Sequence, residues 1–235
     1  LSRMAMLAFA LTIFLKSKRY KIYMQGFFGG KITAIEIKKL NRLGLPVALQ
    51  MGMETASFSL ATIMVGWLGT AALAAHQIMC TVGQLGFMIY YGMAAAVAVK
   101  VSNYNGIGDI ANIRRSAKAG FNIILVMAVF ASLTVYMLRN HIGHIFTDNN
   151  EVAMLVTNLI LPFMLYQFGD GLQCNYSNAL RGIADVKPVM KYAFISYIVI
   201  LLPLGYLFAF VFNLGLTGIW LSFPFGLTIA GVLFF

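Results

Sequence analysis

The sequence predicts an all-α protein, a polytopic bundle of transmembrane helices, and three observations carry that prediction. Of its 235 residues 60% are hydrophobic and only 10% are charged, where soluble domains run near a quarter charged. Apolar runs of about eighteen residues or more recur along the whole chain, each long enough to cross a hydrocarbon core of about 30 Å as a helix. The alternating segments of about ten residues that spanning strands require do not occur in it.

The elements follow in order. Residues 1–15, LSRMAMLAFALTIFL, read as the last part of a spanning helix, and the basic stretch KSKRYKIYMQGFFGGK (16–31) comes next. In ITAIEIKKLNRLGL (32–45), Ile32, Ile35, Leu40 and Leu43 share one helical face opposite Glu36, Lys38 and Lys39, the pattern of a short helix lying at the membrane interface. Pro46 then opens a new span, a position where its missing N–H costs nothing. Spans are predicted at 45–66, 70–99, 117–138, 152–180, 188–212 and 216–235, six helices plus the remnant. The chain starts at Leu1 without a signal peptide and stops at Phe235 inside an apolar run, so it is expected to be a fragment.

The net charge of +10 raises nucleic acid as a partner, but the bases cluster in short connections between apolar runs instead of on one surface, which argues against it. Lys16, Lys18, Arg19, Lys21, Lys31, Lys38, Lys39 and Arg42 precede the first span; Lys100, Arg114, Arg115 and Lys118 follow the second; Arg181, Lys187 and Lys191 follow the fourth. Fifteen of the 17 basic residues thus fall on one side, leaving Arg3 and Arg139 on the other. The basic side is read as cytoplasmic, in a plasma (bacterial inner) membrane crossed several times. Cys80 and Cys174 lie in apolar segments with no CxxC or His/Cys cluster, against structural zinc or a disulfide.

Of the seven acidic residues, Glu36, Asp109, Asp148, Glu151 and Asp185 belong to connections or helix ends. Only Glu54 and Asp170 lie deep in spans, where a charge costs at least about 2.5–3.5 kcal/mol. Glu54 lies about 14 Å from the cytoplasmic end of its helix and Asp170 about 16 Å from the same side, so antiparallel helices bring both to one level. Phe163, Tyr166, Asp170, Gln173 and Ser177 form one stripe by their spacing, as do Gln50, Glu54, Ser57 and Ala61. Carboxylates, a phenol and amides suit a hard monovalent cation, Na⁺, or protons. Gly169 and Gly171, with Pro162, are candidates to loosen the helix and free carbonyls as further ligands; the alternative for the glycines is close helix approach. For the acids the alternative is protonated polar glue between helices.

Other features are weaker. His76 and Gln77 suit either a cavity lining or, for the histidine, a hydrogen-bonded packing role; His141 and His144 read as solvated loop residues; NGIGD (105–109) reads as a helix-linking turn, because it lacks a lysine and a preceding strand. A Met- and Phe-rich wall, with Phe58 among its candidates, suits an apolar pocket. No HExxH, GxSxG or paired aspartate motif is present, which argues against a membrane enzyme.

Three stretches carry a family resemblance: LGLPVALQMGMETASFSLATIMVGWLGTAALAAHQI (43–78), GMAAAVAVKVSNYNGIGDIANIRRSAKAG (92–120) and YQFGDGLQCNYSNALRGIADVKP (166–188). They are similar to the C-terminal half of multidrug and toxic compound extrusion (MATE) transporters of the NorM-like branch. The resemblance implies one six-helix lobe of a twelve-helix exporter working by alternating access. Residues 1–15 would then end the last helix of the N-terminal lobe, 16–43 would be a basic cytoplasmic linker with an interfacial helix, and 44–235 the C-terminal lobe. It also implies that Glu54, Tyr166 and Asp170 match a cation site of the family. The activity implied is antiport of organic, cationic drugs outward against inward Na⁺ or H⁺, with the N-terminal lobe of the same polypeptide and membrane lipid as partners and no cofactor besides the coupling ion. A flippase for lipid-linked saccharides, of related architecture, is the alternative; a deep pair of acids with no deep base argues against it.

Overall fold

The computed structural model describes residues 2–16, 20 and 33–235. Among these residues there is no strand. The helices are α1 (Ser2–Lys16), α2 (Ala34–Gly66), α3 (Thr70–Gly106), α4 (Ile110–Met137), α5 (Arg139–Phe146), α6 (Asn150–Gly182), α7 (Lys187–Val211) and α8 (Gly215–Phe234). The chain divides into two units, Leu1–Arg42 and Leu43–Phe235, and the second contains every residue of the site below. Most of the basic stretch expected at 16–31, together with Ile32 of the expected interfacial face, lies outside the described residues.

The break expected at Pro46 does not occur. α2 runs from Ala34 through Pro46 to Gly66 and joins the expected interfacial helix to the first expected span. Its start is a reciprocal cap: the Thr33 hydroxyl accepts from the Glu36 N–H at 3.3 Å, and Glu36 Oε2 accepts from the Thr33 N–H at 3.0 Å. This T-x-x-E pattern is legible at residues 33–36 and sets the helix start upstream of the proline. Pro46 deprives only the Arg42 carbonyl of its partner, at an exposed position where solvent replaces the lost bond.

α3, α4, α6, α7 and α8 are each long and apolar enough to cross a membrane. They make the chain a multi-pass membrane protein. A sixth such span was expected in α2; it is long enough, but Gln50, Glu54, Thr55, Ser57, Ser59 and Thr62 interrupt its apolar run. α3 and α4 also overrun the predicted spans, carrying Lys100, Arg114 and Arg115 on helix ends, so that the NGIGD turn shrinks to residues 107–109. Gly108 takes the left-handed conformation there (φ 76°), and Asp109 caps α4. His141 and His144 lie exposed on the short helix α5, not in a loop.

α6 is the central helix, packed against α3, α4, α5 and α8. Burial follows that position. α6 is buried around most of its circumference, whereas α4 buries a single stripe, Ala117, Gly120, Ile124, Ala128 and Ser132, at the spacing of one helical face. The other faces of α4 expose Val126, Phe130, Leu133 and Met137, side chains suited to a hydrocarbon surround. Gly169 and Gly171 do not loosen α6, which is continuously helical across them. A Cβ at Gly169 would lie 2.9 Å from Thr228 Oγ1 of α8, and one at Gly171 would lie 2.7 Å from Ile124 Cγ2 of α4, so these glycines admit neighbouring helices.

α7 departs from α geometry. Phe194–Leu201 and Leu207–Val211 are π-helical and flank an α turn, Leu202–Tyr206, that contains Pro203. A proline removes a backbone donor from the ladder, and widened turns around it are one way the chain absorbs that loss.

The carboxyl of Asp109 is held below its ordinary value of 3.8, chiefly by the Asn112 backbone N–H (3.0 Å) and then by the Asn112 side-chain amide (2.6 Å). A group depressed on folding stabilises fully above its unfolded value and loses that contribution as pH falls through its folded value. Asp109→Ala is expected to lower the thermal midpoint at neutral pH by about 1–3 °C, with Asp109→Asn near wild type. The difference between wild type and Asp109→Ala should close as pH is taken well below 3.8; calorimetry across pH checks both.

Candidate functional site

α2 comes close to its neighbours at only a few points along its length. It is joined to α6 and α8 largely through side chains, and a cavity of about 360 Å³ opens between them. α2 contributes Met51, Glu54, Thr55 and Phe58 to the wall; α3 contributes Met79, Cys80, Gly83, Gln84 and Phe87; α6 contributes Tyr166 and Asp170; α8 contributes Trp220. Among the described residues, two acids and no base stand on this wall. A Cβ at Gly83 would lie 3.2 Å from Phe163 Cε2, so the glycine lets α3 close onto the ring behind the cavity.

The two acids differ in their surroundings. Gln173 Nε2 donates to Glu54 Oε1 at 3.0 Å and Gln50 Nε2 donates to Glu54 Oε2 at 3.3 Å, so both oxygens of Glu54 are engaged by amides. Asp170 is 3% exposed and its Oδ2 is buried without a hydrogen-bond partner. An unpaired carboxylate oxygen in a low-dielectric bundle is costly, and a cation entering the cavity would relieve that cost. Among the described residues no group of three His, Cys, Asp or Glu side chains is placed to hold a metal ion. The available set is therefore two carboxylates and the Tyr166 phenol, hard oxygen donors suited to Na⁺ or to protons and not to a transition metal.

Tyr166 is fixed by a surround of rings. Phe58, Phe163, Trp220 and Phe223 lie 5.9–6.4 Å from it centroid to centroid, and Phe58 stacks on Phe223 at 4.8 Å. Aromatic faces beside carboxylates combine a ring quadrupole with negative charge, and both favour positively charged groups.

The structure thus brings Glu54, Phe58, Tyr166 and Asp170 to one cavity, while other expected lining residues take different places. Gln50 and Gln173 stand behind Glu54 as its donors. Ser57 and Ser177 are buried and bond to carbonyls of their own helices, Glu54 O and Cys174 O, as serines in apolar helices do. Phe163 is buried behind Tyr166. Gln77 is exposed on the outer face of α3 and does not reach the cavity. His76 packs edge-on to Trp220 at 5.6 Å with Nε2 at 3.0 Å from the Thr62 hydroxyl. Sequence reasoning misses the α3 wall: Met79, Cys80, Gly83, Gln84 and Phe87 follow helical spacing, but the span offers no charge to mark which face turns inward.

A multi-pass bundle with an acid-bearing, aromatic cavity places the chain among polytopic helical membrane proteins. A family model, MatE, matches residues 46–207, and the chain belongs to that family. Solved structures share the fold. The eukaryotic MATE transporter AtDTX14 superposes with a TM-score of 0.84 at 20% identity, covering 95% of this chain and 50% of that one. A variant of the Vibrio cholerae MATE transporter VcmN gives 0.80 at 16% identity over 87% of this chain and 46% of that one. A MOP superfamily transporter from Pyrococcus furiosus, described by the reverse polarity of its binding pocket, gives 0.74 at 17% identity over 84% and 43%. The chain spans about half the length of the structures it matches.

The cavity makes a prediction about the two cysteines. Cys80 lines it, whereas Cys174 is 3% exposed and outside it. A small membrane-permeant methanethiosulfonate is expected to modify Cys80 at least about tenfold faster than Cys174, and an organic cation filling the cavity should slow the Cys80 reaction. Peptide mass spectrometry over a time course checks both statements.

Proposed function

We propose that the chain is the lobe of a secondary antiporter that carries the coupling-cation site. In this reading Glu54, Tyr166 and Asp170 bind inward-moving Na⁺ or H⁺, and the transporter expels organic cationic compounds across the plasma membrane, working with a second six-helix lobe. The observation that supports it best is that Asp170, whose buried Oδ2 has no partner, lines a cavity with Glu54, Tyr166 and aromatic rings. A wall of acids with no base among its described residues favours cationic over anionic cargo. Met51, Met79 and Phe87 add an adaptable apolar surface that suits substrates of varied shape.

Coupling follows from differential affinity. A cation that bound both access states equally would shift neither, so the acids must bind it more tightly when the cavity faces the side of high cation concentration. The test is export of a fluorescent organic cation by the full-length transporter in proteoliposomes, with sodium and proton gradients imposed separately. Wild type should respond to one gradient, and Asp170→Asn should retain less than about a tenth of that export while eluting as folded protein. Export by Asp170→Asn at the wild-type rate would refute the assignment.

A further inference from the structure

The hydrogen bonds around Glu54 form two directed chains that converge on it across three helices. Arg181 Nη2 donates to Gln50 Oε1 at 2.6 Å, and Gln50 Nε2 donates onward to Glu54 Oε2 at 3.3 Å. From the other side the Tyr197 hydroxyl donates to Gln173 Oε1 at 2.9 Å, and Gln173 Nε2 donates to Glu54 Oε1 at 3.0 Å. A guanidinium has donors only. Gln50 must therefore turn its carbonyl toward Arg181, which leaves its NH₂ no direction but Glu54. Tyr197, on the π-helical stretch of α7, supplies the donor to Gln173 Oε1 on this second arm.

We propose that Arg181 is a positioning residue for coupling-cation binding, acting through Gln50 to fix the amide on Glu54 and to set a permanent positive charge in the field of that carboxylate. This rests on the antiport reading above. Arg181 sits in the last turn of α6, where a cation also complements the helix dipole, and its 2.6 Å bond to Gln50 Oε1 holds the group against α2. The consequence is a division of labour. Glu54 is engaged on both oxygens and partly offset by Arg181, while Asp170 leaves its buried Oδ2 without a partner. Ion transport requires binding tight enough to load and weak enough to release. A resident positive charge near one of the two acids weakens cation binding and so favours release.

The experiment uses the full-length transporter in proteoliposomes and measures the half-saturating concentration of the coupling ion separately from the maximal export rate. Arg181→Gln is expected to lower the half-saturating concentration about tenfold, the effect of removing one screened charge, and to lower the maximal rate because release slows. Arg181→Lys should stay within about twofold of wild type, since an ammonium also only donates. Gln50→Leu breaks the relay but keeps the charge; it should move half-saturation in the same direction by a smaller factor, and it carries the test should Arg181→Gln fail to insert. An unchanged half-saturation in Arg181→Gln and Gln50→Leu, with only the maximal rate reduced, overturns the proposal, as does Arg181→Lys behaving like Arg181→Gln. A wild type that ignores both gradients overturns the antiport reading and this inference with it; a coupled wild type with an unmoved half-saturation overturns this inference alone.

Discussion

The structure turns on how a carboxylate is kept inside an apolar bundle. Glu54 meets the problem with amides, Gln50 from its own helix and Gln173 from α6. Asp170 is nearly fully buried and leaves Oδ2 without a partner. Each arrangement constrains the helices around it. α2 remains spaced from its neighbours because its side chains, and not its backbone, make the join, through Gln173, Arg181 and the stacked rings of Phe58 and Phe223. That spacing is the cavity. Leaving one partner of a buried hydrogen bond unsatisfied costs about 1–3 kcal/mol, so the same bonds that hold the acid also hold α2.

Much of this is legible in the sequence because charge in an apolar run is rare. Glu54 and Asp170 stand out by depth, and helical spacing then draws in Tyr166, Gln50 and Gln173. The ends of α6, α7 and α8, to within a few residues, follow from apolar length alone. The same logic misplaces the start of α2, because Pro46 is a conspicuous punctuation mark while the Thr33–Glu36 cap is a quiet one; a reciprocal cap at an exposed start outweighs a proline whose lost bond is replaced by solvent.

What stays hidden is whatever lacks a chemical contrast. α3 is apolar on nearly every face, so nothing in its composition tells that Met79, Gly83 and Phe87 turn inward while Gln77 turns out. Spacing gives a face, but burial decides which face, and burial depends on the partner helix. The π turns of α7 are equally silent: Pro203 signals a disturbed ladder without saying whether the helix kinks or widens. Ser57 and Ser177 depart from the expected lining for a related reason, since a serine in an apolar helix has a local carbonyl always within reach and needs no cavity.

The cavity's size bears on how two cargoes share it under the antiport reading. About 360 Å³ lies at the lower end of the range for small-molecule sites, enough for one compact organic molecule. The acids that in this reading hold an inorganic cation stand on the same wall as the rings of Phe58, Tyr166 and Trp220 that would hold an organic one. Both cargoes draw on a single source of negative charge, so occupation by either weakens the field that holds the other. Exchange then needs no second site in this lobe and no relay between distant sites; it needs only that the two cargoes reach the cavity from opposite sides of the membrane, at different times.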